Sequence, residues 1–197
     1  MATGRPRQFD PETALQQAAC LFRRKGYGAT SLNDLTEAMG INRPSLYAAF
    51  GNKDALFLAV VRRYLAQLDA VSTQAFAAPT AQEAVRQMVH GIIDLVARAD
   101  APPACLAQIG LFTAAEASAE VIAELAATRR ASQARLTERL TGEWDAPDLR
   151  AAAIIALTQG LAGQAYDGTP AAELHRLADL LLEGVFAPTP SKSPAPK

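Results

Sequence analysis

Six side chains in the first third of the chain are of types that hold an anion or a base edge: Thr30, Ser31, Arg43, Ser45, Tyr47 and Lys53. Their chemistry is recognition, not bond making. A guanidinium such as that of Arg43 reaches the O6/N7 edge of guanine with two parallel hydrogen bonds, and a hydroxyl such as that of Ser45 donates to or accepts from a base or a phosphate. Tyr47 can set its phenol on a phosphate. Lys53 opens a helix whose unpaired backbone N–H groups favour an anion beside the ammonium, and Thr30 and Ser31 stand at another helix start with the same preference. No Ser/His/Asp order, carboxylate pair, Gly-rich phosphate loop or H-E-x-x-H pattern stands out, so no enzyme is expected. Two cysteines, Cys20 and Cys105, and two histidines, His90 and His175, are too few for a disulfide framework, a thiolate cage or a catalytic zinc site. Neither a metal nor a cofactor is expected.

The elements that must position these groups are helices. The 197 residues are 50% hydrophobic but only 6% aromatic, and alanine alone makes up about a fifth of them. That composition favours an all-α chain of one domain or two small ones. Asp10 caps a first helix with Pro11 at its first position, and Gly26 follows the basic end Arg23-Arg24-Lys25. Ser31, with Asp34 three residues on, starts a second helix that stops at Gly40. A third begins near Asn42 or Arg43, tolerates Pro44 in its first turn and ends before Gly51; Asn52 then caps a long helix over 53–76. The second and third helices, four residues apart, have the spacing of a helix-turn-helix at about 29–48. Later helices are expected near 81–99, 104–114, 117–141, 147–166 and 170–186, about nine in all, with Thr80 and Thr169 as caps and the prolines as breaks.

At about 100° per residue, Leu46 and Phe50 fall on one side of the third helix, while Pro44, Ser45 and Ala48 point the other way and Tyr47 lies on a flank. The outward side is small and carries no acid, as a helix entering a major groove requires. Charge agrees: residues 1–70 hold nine Lys/Arg against six Asp/Glu, and residues 71–197 hold ten against fourteen. A basic first third on an acidic remainder suggests that the N-terminal part alone meets a polyanion, and the arm 1–9 could lay Arg5 and Arg7 in a flanking minor groove.

The run Gly26-Tyr27-x-x-Thr30-Ser31, followed by Leu46-Tyr47-x-x-Phe50-x-x-Lys53-x-x-Leu56, resembles the DNA-binding domain of the TetR/AcrR family of transcriptional regulators, over residues 5–65. The resemblance implies a helix-turn-helix domain over 1–52, a helical effector-binding and dimerisation domain over 53–186 with 53–76 as connector, and a homodimeric repressor. It puts Thr30, Arg43, Ser45, Tyr47 and Lys53 on positions that usually touch DNA. Two residues depart from the pattern. Pro44 stands where many members have Gly, and Ala48 where many have His, so base preference rests on Arg43, Ser45 and apolar contact of Ala48 with a thymine methyl.

One short reading helix buries too little surface for specific binding at physiological salt, so a dimer on a palindromic operator is expected on physical grounds too. On 147–166 the small residues Ala153, Ala156 and Gly160 permit close helix approach, and on 170–186 Leu174, Leu177 and Leu181 belong to one apolar stripe. A pair from each subunit would make a four-helix bundle. Between reading head and dimer helices, Met88, Ile92, Leu95, Leu106, Ile109, Phe112, Ile122 and Leu125 are the candidate lining of a pocket for a small hydrophobic effector. The same residues would serve equally as plain core. His90 reads as a satisfied helix histidine, His175 as a surface residue and Cys20 as core. Cys105, at a helix start that would lower its pKa, is a candidate redox sensor. No apolar run approaches the ~20 residues that cross a bilayer and no signal-peptide stretch opens the chain, so a cytoplasmic location is expected. The tail 187–197 has no apolar periodicity and is expected to be disordered. The readings beside a repressor are a ligand- or redox-responsive activator, and a helical ligand-binding module without operator binding.

Overall fold

The computed structural model describes residues 9–98 and 117–188. Among them every regular element is a helix: α1 (Pro11–Lys25), α2 (Leu32–Met39), α3 (Arg43–Phe50), α4 (Lys53–Phe76), α5 (Ala81–Val96), α6 (Ala119–Leu140), α7 (Pro147–Tyr166) and α8 (Ala171–Phe186). The helix expected at 104–114 lies outside the described residues, as do Arg5, Arg7, Cys105, Leu106, Ile109, Phe112 and the tail beyond 188. The chain forms two compact units, Met1–Gln67 with Arg98–Ala126 and Leu68–Ala97 with Ala127–Lys197, so the division falls within α4 and not at its start.

Local signals fix the starts of the first helices. Asp10 accepts from the Glu12 and Thr13 N–H groups, Ser31 and Asp34 form a complete capping box, and Asn42 accepts from Ser45 N. Each cap satisfies N–H groups that a helix start otherwise leaves unpaired, about 1 kcal/mol apiece. The Asn52 side chain does the same for Ala55 N at 2.8 Å. Gly40 ends α2 in the left-handed region at φ 64°, which turns the chain into α3.

The core of the first unit is aromatic where α1, the following turn and α4 meet. Phe57 takes Phe22 and Tyr27 edge-on, both at 5.0 Å between ring centres. Ala14, Ala18, Leu35, Met39, Leu46 and Leu56 complete it. Leu46 is thus the side chain that anchors α3, as its place on the inner side predicts. Cys20, read as core, is only half-buried.

In the second unit α5, α7 and α8 pack on one another. The α5 face Ala84, Val85, Met88, Val89 and Ile93 is buried, with Ile154, Leu161, Leu174, Ala178 and Leu182 opposite. Gly91 allows α5 to cross α4 closely: a Cβ there would lie 2.6 Å from Val71 Cγ1. Arg150 is buried and closes the far end, bonding to Asp145 and to the Val185 and Ala187 carbonyls while it lies over the Trp144 ring. Ala146, just before Pro147, has φ 46°, and among the described residues it is the one non-glycine with positive φ. Thr169 does not cap α8. Pro170 occupies the cap position without a side-chain bond, and the Thr169 hydroxyl turns back to Gln164 instead.

Of the two histidines, His90 is satisfied as expected and His175 departs from expectation. His90 on α5 and His175 on α8 stack at 4.7 Å with their Nδ1 atoms 2.5 Å apart, and their Nε2 atoms meet Asp179 and Asp94 at 3.1 and 2.9 Å. His175 is therefore not a plain surface residue but half of a polar clamp between two helices. The order is a chain, carboxylate–imidazole–imidazole–carboxylate, and does not converge on a point. Among the described residues no group of three or more such side chains can hold a metal ion.

Candidate nucleic-acid interface

α3 is set by its cap and its anchor. Asn42 fixes the first turn, Leu46 plugs into the core, and what remains outward is Arg43, Pro44, Tyr47 and Ala48, with Ser45 half-buried. Tyr47 is 48% exposed, so its phenol stands clear of the surface. The outward face carries no carboxylate, and apart from the Arg43 guanidinium and that phenol nothing bulky. Such a face can lie in a major groove with its first turn near base edges.

Arg43 is the one Lys or Arg in the sequence between Lys25 and Lys53. Its guanidinium does not point at random. Arg43 Nη2 donates to Asn33 Oδ1 of α2 at 2.7 Å, a contact that helical periodicity did not bring out. The available signal was the residue type: the second position of a helix favours Asp or Glu through the dipole, and a neutral amide there serves something else.

Thr30 is a correction. It is 1% exposed, and its hydroxyl donates to the Gly26 carbonyl at 2.6 Å, closing the turn after α1. Its side chain therefore does not face a phosphate. Ser31 is exposed, but its hydroxyl donates to Asp34 Oδ2 at 2.8 Å and accepts from Asp34 N. The Asp34 carboxylate thus sits where an anion at this helix start would go. The Ser31 backbone bond, then Lys25 at 2.9 Å, hold the carboxyl down to about 2.

Lys53 opens α4 with its ammonium 4.1 Å from the centre of the Tyr27 ring. The Tyr27 hydroxyl donates to Asp54, which also receives Ser118, and these bonds hold the Asp54 carboxyl below its ordinary range. Lys53 is thereby braced by a ring on one side and followed by an acid on the other. The Phe9 ring meets Phe50 at 6.5 Å between centres, which ties the first described residue to the end of α3.

Comparison with known proteins agrees with this geometry. The family model for "Bacterial regulatory proteins, tetR family" matches residues 14–60. The repressors BdcR and ComR, both of Escherichia coli (strain K12), are 52% and 55% identical to the chain over 62 residues. Those matches span 32% and 30% of the curated relatives' length. The TetR family regulator CifR, solved as a cysteine mutant on a 26-base-pair double-stranded operator DNA, is 32% identical, with a TM-score of 0.80, over 91% of this chain and 98% of CifR. The chain belongs to the TetR family of transcriptional regulators.

The remaining expected sites of this TetR family regulator separate by burial. Leu174 is wholly buried, together with Ala178 and Leu182, so it serves the interior and not an interface. What α8 exposes is Leu180 at 71%, Leu181 at 43% and Gly184, with Leu177 half-buried beside them. Ala153, Ala156 and Gly160 are exposed on α7, as expected. Met88 and Leu95 on α5 are buried and Ile92 half-buried in the second unit. On α6, in the first unit, Leu125 is buried but Ile122 is 44% exposed. No helix of the described residues is long and apolar enough to cross a membrane.

Proposed function

We propose that the protein is a cytoplasmic, homodimeric repressor that reads a palindromic operator with α3 and lets it go on capturing a small hydrophobic effector. The observation that carries the reading is the outward face of α3: Leu46 locks the helix to the core while Arg43, Pro44, Tyr47 and Ala48 are offered to solvent. Arg43 contacts a base edge, Tyr47 and Lys53 contact phosphates, and Pro44 and Ala48 give apolar contact. The operator-bound CifR structure and the two bacterial repressors similar over the reading head support the DNA-binding role. Exposed Ala153, Ala156, Gly160 and Leu181, with half-buried Leu177, support a pairing face on α7 and α8.

In such a dimer the two α3 helices enter successive major grooves about 34–36 Å apart. An effector releases DNA only through its greater affinity for the geometry that misses this spacing. α4, the connector, begins at the reading head and carries Lys53 in its first turn. The apolar side chains of α5, Met88, Ile92 and Leu95, set the effector's class as hydrophobic. The test is selection of duplexes from a randomised pool by the purified protein, followed by titration at several salt concentrations. An enriched inverted repeat whose affinity falls steeply with salt, with slope near −0.9 per neutralised phosphate, is expected. Absence of enrichment, or salt-independent binding, would sink the reading in favour of a helical module without operator binding.

A further inference from the structure

The sequence offers only Arg43 as a cation on α2 and α3, so whatever orients this guanidinium sets the fidelity of the reading head. Its location is poor for helix stability. At the first position of α3 it faces the positive end of the helix dipole, where an acid would be favoured. A long, flexible, exposed side chain there would sample many rotamers and lose that freedom on docking. Among the described residues one hydrogen bond restrains it, from Nη2 to Asn33 Oδ1 at 2.7 Å across the gap between the two helices.

Asn33 is exposed, and helix propensity does not explain it. Asn is a weak helix former, and the capping box of α2 is already completed by Ser31 and Asp34. A carboxylate at position 33 would serve the helix dipole better and would grip Arg43 more tightly. It would also neutralise the one cation of α2 and α3 and set a negative charge beside DNA phosphates. A neutral amide holds the guanidinium by one nitrogen and leaves its charge intact. The single bond leaves other N–H groups of the fork for a guanine edge, which takes two of them.

We propose that Asn33 is a positioning residue for operator recognition: it pre-orients the Arg43 fork toward the base edge without cancelling its charge. The inference rests on the base-reading role of Arg43, and the experiment separates the two. The duplex that wild-type protein enriches from a randomised pool and a scrambled duplex of equal composition are titrated with wild type, Asn33→Ala, Asn33→Asp, Arg43→Ala and the Asn33→Ala/Arg43→Ala double variant. Asn33→Ala is expected to lose roughly three- to tenfold on the selected duplex, in the range of one hydrogen bond, with little change on the scrambled one. The double variant should bind no worse than Arg43→Ala. Asn33→Asp, which keeps the acceptor, should weaken both duplexes yet hold their ratio closer to wild type than Asn33→Ala does.

A wild-type ratio for Asn33→Ala, equal loss on both duplexes, multiplying effects in the double variant, or an Asn33→Asp ratio as low as that of Asn33→Ala would each overturn the positioning role. If Arg43→Ala itself leaves the ratio unchanged, the base-reading assignment fails first and the inference falls with it. Positions 33 and 43 are both exposed, so every variant should stay folded and melt close to wild type, with small shifts from the helix dipole.

Discussion

At the residue scale, side chains on one small surface divide between reading and holding. The proposed function gives Arg43 the base edge, so Arg43→Ala should relax base preference, with the larger loss on the selected duplex. It gives Tyr47 and Lys53 phosphates, which carry no sequence information, so Tyr47→Phe and Lys53→Ala should weaken all duplexes alike. Titrating each variant on selected and scrambled duplexes checks the division, and equal loss on both for Arg43→Ala would refute its part. Thr30 belongs on neither side. Its hydroxyl is buried against the Gly26 carbonyl, so Thr30→Val strands that carbonyl and should destabilise the fold by about 1–2 kcal/mol. The ratio of selected to scrambled binding should stay where it was. A changed ratio with unchanged melting would return Thr30 to the DNA surface.

At the element scale, what was legible in the sequence is what is local. Asp10, Ser31 with Asp34, Asn42 and Thr80 cap their helices as their residue types predict, because a cap bonds N–H groups two or three residues away. Leu46 fell inward because one helical period is enough to assign it. Thr30 and Thr169 are misplaced locally, each hydroxyl turning back four or five residues, whereas the other misplaced residues depend on a second element. The apolar stripe of α8 is too wide for one contact, and only packing against α5 and α7 decides that Leu174 turns in while Leu180 and Leu181 turn out. The His90–His175 stack and the Asn33–Arg43 bond join helices in ways that no spacing within either helix encodes.

Asp34 shows how such an element responds to pH. Its carboxyl is lowered from 3.8 to about 2, first by the Ser31 backbone bond and then by Lys25. A depressed carboxylate contributes stability that is present above its unfolded value and lost as pH falls through its folded one. The melting advantage of wild type over Asp34→Asn should therefore be full at neutral pH and shrink as pH drops from 3.8 to about 2. Acid melts of both proteins read this directly. A gap that stays constant over that range would mean the charged form of Asp34 does not hold α2.

At the scale of the whole molecule, specific binding needs two reading heads, and the surface that would join them can be broken without touching either. Leu180 and Leu181 are exposed leucines on the outer stripe of α8, and burying a leucine contributes about 1.5–3 kcal/mol. A two-fold interface counts each of them twice. Leu180→Glu/Leu181→Glu leaves the inward Leu174, Ala178 and Leu182 in place, so each protomer should keep its helix content. The pair of glutamates would have to be buried unpaired in the dimer, which costs far more than the lost leucines. Sedimentation should then show a monomer. Because the second α3 no longer docks at the high local concentration set by the first, affinity for the full operator should fall by about a hundredfold or more. Affinity for a half-site, which one head reads alone, should be nearly unchanged. A variant that still sediments as a dimer and still binds the full operator would move the pairing face off the outer stripe of α8. A monomer that kept full operator affinity would remove the need for two heads.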